Sequence, residues 1–249
     1  MDTDDYVTYD PRLPKYKPFL TKILIAFISI YFLIEILFNA LHSERAIIIL
    51  GAKWNLGITN GEYWRFLTST FLHGSLFHLF LNLMALHIFG TEVESIYGSF
   101  RYMLIYLLTA WGAGLASYAF SPGLAIGASG AIFGIISSLV IFFYRQREKI
   151  PGANLKFRAM YTLILINLVF GFMIPRIDNA GHLGGLITGL LAAWFIAPEY
   201  KLEKNEEKGI LVVVQKQDFT RVLAGIILVT TILFWLTKIT TEHYLAQTL

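Results

Sequence analysis

The 249 residues are 56% hydrophobic and only 15% charged, contain no cysteine and carry a formal net charge of +3. A soluble domain averages roughly 25% charged residues, so this chain has too little charge to cover a water-facing surface, and its aromatic share of 15% excludes a disordered polar chain. Without cysteine there is no disulfide framework, thiol nucleophile or thiolate metal site.

Crossing a hydrocarbon core of about 30 Å takes roughly 20 apolar residues of helix. Segments of that kind lie at about 19–41, 76–97, 101–120, 124–144, 159–175, 181–197 and 220–238. The fifth and sixth are short and interrupted by Gly171, Gly181, Gly184 and Gly189. The expected fold is therefore all-α: a polytopic membrane bundle with a six-helix core over 19–197 and one further transmembrane helix in 219–249. Residues 1–18 read as a short N-terminal segment. Residues 43–75, with Trp54, Tyr63, Trp64 and Phe66, read as an outer interfacial loop long enough to have a fold of its own. Residues 198–218, carrying Glu199, Lys201, Glu203 and Lys204, read as a charged, solvated cytoplasmic linker. The opening apolar run is too long for a cleavable signal peptide.

Placing the N-terminus in the cytoplasm leaves Arg45, Lys53, Arg65, Arg176 and Lys238 as the outer cations, with the other fifteen of the 20 Lys and Arg inside. Positive residues favour the cytoplasmic side. The basic excess thus belongs to topology and to the lipid bilayer, not to nucleic acid. A multi-pass protein of the cell membrane is expected.

Ionisable and strongly polar residues within a span are expensive and mark function by default. Here they are Glu35, His78, Asn82, His87, Glu92, Glu94, Ser129 and His182. No span contains Asp, which removes a paired-aspartate protease, and there is no His-Glu-x-x-His zinc motif. His78 and Asn82 share one helical face near the outer end of the second span, and Ser129 and His182 sit near the outer ends of the fourth and sixth. Four unusual residues from three helices therefore meet at one depth. Glu94, sixteen residues beyond His78, lies about 24 Å away along the helix at the other end, where it and Glu92 are expected to meet interface water or Arg101. Glu35 has no evident partner.

Ser129 stands in Gly127-Ala128-Ser129-Gly130, and only sixteen residues separate it from Arg145. That is about 24 Å of helix, so the serine should be recessed below the outer surface. At a helix start it would have free backbone N–H groups beside it, suited to an oxyanion. A packing explanation competes: Gly130-x-x-x-Gly134 and Gly185-x-x-x-Gly189 are spacings that let membrane helices approach closely. His78 and Asn82 could likewise serve interhelical hydrogen bonding. His73 and His87 do not share the face of His78, so a helical three-histidine metal site fails on geometry.

These residues resemble the rhomboid family of intramembrane serine proteases. The resemblance rests on Trp64-Arg65, His78-x-x-x-Asn82, Glu94 and Gly98, Gly127-Ala128-Ser129-Gly130, and Asn179-Ala180-Gly181-His182-Leu183-Gly184-Gly185 running to Gly189. It covers residues 64–189, and the extra helix resembles the family's six-plus-one variant. It implies a dyad of Ser129 as nucleophile and His182 as general base and acid. It further implies oxyanion stabilisation by Asn82 and His78 and a loop shaped by Gly127 and Gly130. Trp64, Arg65 and Glu94 would be structural, and no metal or cofactor is implied. Phe133 stands where the family often has a tyrosine stacked on the histidine, so an aromatic face is kept without the hydroxyl. The substrates would be transmembrane segments of other proteins, entering past the fifth helix. A catalytically inactive, client-binding relative and, more remotely, a small transporter are the rival readings. Asp178 is the only acid near His182 and falls in the loop, so packing rather than charge should orient the imidazole.

Overall fold

The computed structural model describes residues 9–10, 16–174, 177–205, 210–216 and 218–248. Arg12, Lys15, Arg176 and Lys208, which enter the count of cations above, lie outside the described residues. Seven helices there are long and apolar enough to cross a membrane: α1 (Leu20–Leu37), α2 (Leu76–Tyr97), α3 (Ser99–Phe120), α4 (Ser129–Gln146), α5 (Ala153–Met173), α6 (Asn179–Ile196) and α7 (Phe219–Thr248). The chain is an integral, multi-pass membrane protein with a helical bundle. Large apolar side chains such as Leu37, Phe80, Phe172 and Trp235 project outward from it.

The helix limits follow local chemistry more closely than the apolar runs do. The fourth span starts at Ser129 rather than 124, because Gly127 at φ +116° ends an extended loop there. Gly152, at φ +78°, opens α5 six residues earlier than the apolar run suggests. That brings Lys156 inside the helix, where its long stem reaches Glu92 at 2.5 Å. Within α2, a π-helical turn over Leu86–Gly90 separates the half bearing His78 from the half bearing Glu94. The last helix is 30 residues long, about 45 Å at 1.5 Å per residue. It therefore outruns its apolar stretch and reaches the loops at the end of the bundle that carries residues 38–75.

The centre of the bundle is α4, with 78% of its residues buried, whereas only 11% of the apolar stretch of α5 is buried. The fifth helix is thus peripheral and rests chiefly on α4. Glycines bring α3, α4 and α6 together: a Cβ on Gly185 would run into the Gly130 carbonyl, and one on Gly189 would lie 2.6 Å from Gly134 Cα. Packing across small residues, raised by the sequence as an alternative to catalysis, is present in the fold.

Two polar residues remote from Ser129, Glu94 and Glu35, are consumed by the scaffold. Glu94 meets neither water nor Arg101, contrary to expectation. It is fully buried, and its carboxylate accepts the N–H groups of Phe19, Leu20 and Thr21 at 2.8–3.1 Å and the hydroxyls of Thr21 (2.7 Å) and Ser99 (2.6 Å). Helix α1 has no side-chain cap from its own sequence, so Glu94 satisfies the orphan donors of its first turn. Glu35, equally buried, accepts the His73 N–H on both oxygens at 3.0 Å and so fastens residues 38–75 to α1.

The expected solvated linker contains structure as well. Strands β2 (Glu199–Asn205) and β3 (Ile210–Lys216) form an antiparallel hairpin, and β1 (Tyr9–Asp10) adds in parallel to β3. The run Ile210-Leu211-Val212-Val213-Val214 has the β-branched composition of a strand. Tyr200 ties the sheet to the bundle: it is buried, donates to the Ile96 carbonyl at 2.9 Å and meets Phe142 edge to face.

Candidate active site

The segment between α1 and α2 folds into three short α-helices, Glu44–Ile49, Asn55–Thr59 and Arg65–Thr68, the last continued by a 3-10 turn over Ser69–Phe71. Arg65, 4% exposed, organises them. Its guanidinium donates to the carbonyls of Ile48 (2.7 Å) and Ala52 (3.0 Å) and to Glu62 (2.5 Å), and it lies 4.5 Å from the Trp64 ring. The fork geometry of arginine suits such a multiple contact. Arg65 thus ties the short helices together, with the half-exposed Trp64 ring against its guanidinium.

Beside it, residues 121–128 descend to the start of α4. The N–H of Gly127 donates to the Ser69 carbonyl at 2.9 Å. Its φ of +116° suits only glycine, and an added Cβ would also lie 2.8 Å from His78 Nε2. Ser129 then occupies the first turn of α4, where backbone N–H groups lack intrahelical acceptors.

His182 comes from the first turn of α6, capped by Asp178, whose carboxylate accepts the Gly181 N–H at 3.1 Å. Its Nε2 lies 2.8 Å from Ser129 Oγ. The Phe133 ring, one turn along α4 from Ser129, stacks on the imidazole with centroids 4.5 Å apart and planes 18° from parallel. Nδ1 of His182 is buried with no hydrogen-bond partner among the described residues. Asp178 Oδ1 also accepts from Ser121 Oγ at 2.9 Å. The nearest acid thus caps a helix and holds a loop instead of gripping the imidazole.

Asn82 is buried on α2 and gives one amide hydrogen to the His78 carbonyl at 2.9 Å, leaving the other uncommitted. His78 lies against Gly127 and, at 5.0 Å between centroids, against His73. Burial first, and then His78, push the His73 imidazole down to about 3, so it is neutral. Among the described residues no group of three or more His, Asp or Glu is placed to share a metal ion.

A small cavity beside the Ser129–His182 contact is lined by Ser129, His182, Gly130, Ser117, Asp178 and Lys53. Two of these escape sequence reasoning. Ser117 on α3 has a buried Oγ without a partner among the described residues. Lys53 is fully buried and places its Nζ 2.9 Å from Asn55 Oδ1, 2.8 Å from the Ser121 carbonyl and 2.6 Å from that of Gly123. Helix α7 joins this network through Tyr244, whose hydroxyl donates to the Tyr118 carbonyl (2.9 Å) and accepts from Asn55 (3.0 Å).

Residues 60–199 match the family model of the Rhomboid domain. The chain is 42% identical over 181 residues to the rhomboid protease GluP of Bacillus subtilis, covering 71% of this chain and 34% of that protein. It is 35% identical over 156 residues to RHOMBOID-like protein 1 of Arabidopsis thaliana, covering 59% and 39%. With the putative rhomboid protease YdcA of Bacillus subtilis it shares 31% over 143 residues, covering 57% and 71%. It thus spans about a third of the length of the first of these relatives. The matched segment holds Trp64, Arg65, His78, Asn82, Glu94, Ser129 and His182 on the fold described above, and the chain belongs to the rhomboid family.

Proposed function

We propose that this chain is an active intramembrane serine endopeptidase that hydrolyses peptide bonds in or near transmembrane segments of other membrane proteins. The observation that carries the reading is the 2.8 Å contact between Ser129 Oγ and His182 Nε2 at the head of α4. Nε2 takes the serine proton as Oγ attacks the carbonyl and returns it to the leaving amine. This needs the tautomer with hydrogen on Nδ1, the nitrogen without a partner among the described residues. Stacking on Phe133 orients the ring in place of a carboxylate.

Negative charge developing on the attacked carbonyl falls near the Ser129 N–H, the free amide hydrogen of Asn82 and the His78 ring. One such donor is worth about 2.7–4 kcal/mol in the barrier. Gly127 and Gly130 let backbone and neighbouring helices come close enough to form this site, and Gly185 and Gly189 hold α6 against α4. Water then attacks the acyl-serine with the same histidine as base. The sparse packing of α5 supports sideways entry of a substrate helix from the bilayer. The end bearing residues 38–75 faces outward, and the N-terminus lies in the cytoplasm of a cell-membrane protein. A transporter would line its path with polar groups at several depths, but Glu35 and Glu94 are instead consumed by backbone N–H groups.

Labelling by a serine-directed fluorophosphonate tests the reading. The folded protein takes up label and the Ser129→Ala variant does not. A well-folded wild type that stays unlabelled would favour a non-catalytic, client-binding relative.

A further inference from the structure

Lys53 reads in the sequence as an outer-loop charge, yet it is fully buried beside the dyad. Its three ammonium hydrogens meet three acceptors: Asn55 Oδ1 and the carbonyls of Ser121 and Gly123. Its backbone exchanges both hydrogen bonds with Ala125, at 3.0 and 3.2 Å. Lys53 thus grips residues 121–125 by side chain and main chain together. Two residues further on comes Gly127, and then Ser129. At its other end the same loop reaches Asp178 through the Ser121 hydroxyl, and Asp178 caps the helix that carries His182. One loop therefore joins the supports of both members of the dyad, and Lys53 is its pin.

We propose that Lys53 is a positioning residue for the protease, its protonated ammonium holding residues 121–127 so that Ser129 Oγ and N–H keep the geometry that catalysis needs. The inference rests on the reading of Ser129 and His182 as the dyad. A neutral amine would not serve. It has two hydrogens and a lone pair, so one of the three acceptors would face the lone pair and be repelled. Asp178 is the charged group that faces Lys53, and the cavity between them is shared with His182; the remaining contacts, Asn55 and the loop carbonyls, are neutral. Burial lowers the Lys53 ammonium to about 8, with Asp178 opposing the shift. Because this lies above neutral pH but below the usual lysine value, the charge is present at pH 7 and disappears as pH rises through about 8. The loop loosens on the alkaline side.

The test uses the purified full chain in detergent, with cleavage of a single-span reporter and fluorophosphonate labelling of Ser129 followed from pH 6.5 to 10. Wild type is expected to lose about tenfold in rate between its plateau and pH 9, since each pH unit above the titration point removes tenfold of the charged form. Lys53→Arg, always charged in this range, is expected to keep its own plateau to pH 10. Lys53→Met is expected to run at least about tenfold below wild type at pH 7, with no alkaline limb. A purely structural role would lower stability without moving the pH profile. The proposal is overturned by an unchanged alkaline limb in Lys53→Arg, or by a Lys53→Met variant with the rate and profile of wild type. If Lys53→Met does not fold, the wild-type and arginine profiles decide alone. A folded wild type that neither cleaves nor labels at any pH defeats the dyad and this inference together, an outcome distinct from the other two.

Discussion

Replacing Gly185 with alanine adds one methyl group at the tightest approach of α4 and α6. The new Cβ would run into the Gly130 carbonyl, 2.7 Å from its carbon and 3.3 Å from Gly130 Cα. Non-bonded carbons rest at about 3.5–4.0 Å, so the helices must separate by about 1 Å. The obstructing atoms are backbone and cannot rotate away. The far side of α4 offers no slack either, since Cβ positions at Gly130 and Gly134 abut Ala113 and Thr109. Ser129 directly precedes Gly130, and His182 lies one turn before Gly185. A shift of that size takes their 2.8 Å contact beyond the usual hydrogen-bond limit of about 3.2 Å. Overpacking costs about 1–3 kcal/mol of stability, whereas a 1 Å misplacement at a reacting centre costs on the order of 10²-fold in rate. The decisive assay is the rate of single-span reporter cleavage alongside thermal unfolding in the same detergent. Glu148→Ala is the control, because its side chain is 83% exposed in the loop between α4 and α5; it should keep full rate and stay within about 0.5 kcal/mol of wild type. A Gly185→Ala protein that cleaves within threefold of wild type would refute the claim that this helix approach sets the dyad.

Two further substitutions separate scaffold from chemistry. Glu94→Gln replaces one acceptor oxygen by an amide donor facing the N–H groups and hydroxyls gathered there. Thermal unfolding should reveal a loss of about 2–4 kcal/mol, from one or two unsatisfied buried donors at about 1–3 kcal/mol each, and the folded fraction should label normally at Ser129; unchanged stability would mean that α1 has another cap. Phe133→Ala removes the ring stacked on His182. An aromatic contact of about 0.5–1.5 kcal/mol corresponds to roughly a two- to tenfold fall in kcat, whereas Phe133→Tyr should stay within threefold, and an alanine variant as fast as wild type would remove stacking from the mechanism.

The nearness of Ser129 and His182 is legible because the spans hold so few polar side chains that each can be placed by counting residues along a helix. Ser129 and His182 shared a depth on paper and share a hydrogen bond in the fold. Their neighbours were less legible, because depth says nothing about which partner a group meets. Glu94 lies at the end of the bundle where counting put it, yet its partners are the first residues of α1, more than 70 positions away. Glu35 likewise meets a backbone N–H that only the folded loop presents. Lys53 left a fainter signal still: an isolated loop cation looks solvated until residues 121–125 close over it. The charges of residues 198–218 suggest a solvated linker, whereas the β-branched run after Ile210 is the better guide to the hairpin. The seventh helix runs past its apolar stretch because Tyr244 finds Tyr118 and Asn55 beyond it.

The central claim is that Ser129 and His182 act together on a peptide bond within the bilayer. Its most direct measurement is cleavage of a single-span reporter co-reconstituted with the protein in liposomes. Wild type should release the two product fragments. Ser129→Ala and His182→Ala, each folded as judged by unfolding temperature, should release none above background. Cleavage that persists in the purified Ser129→Ala protein would contradict the claim.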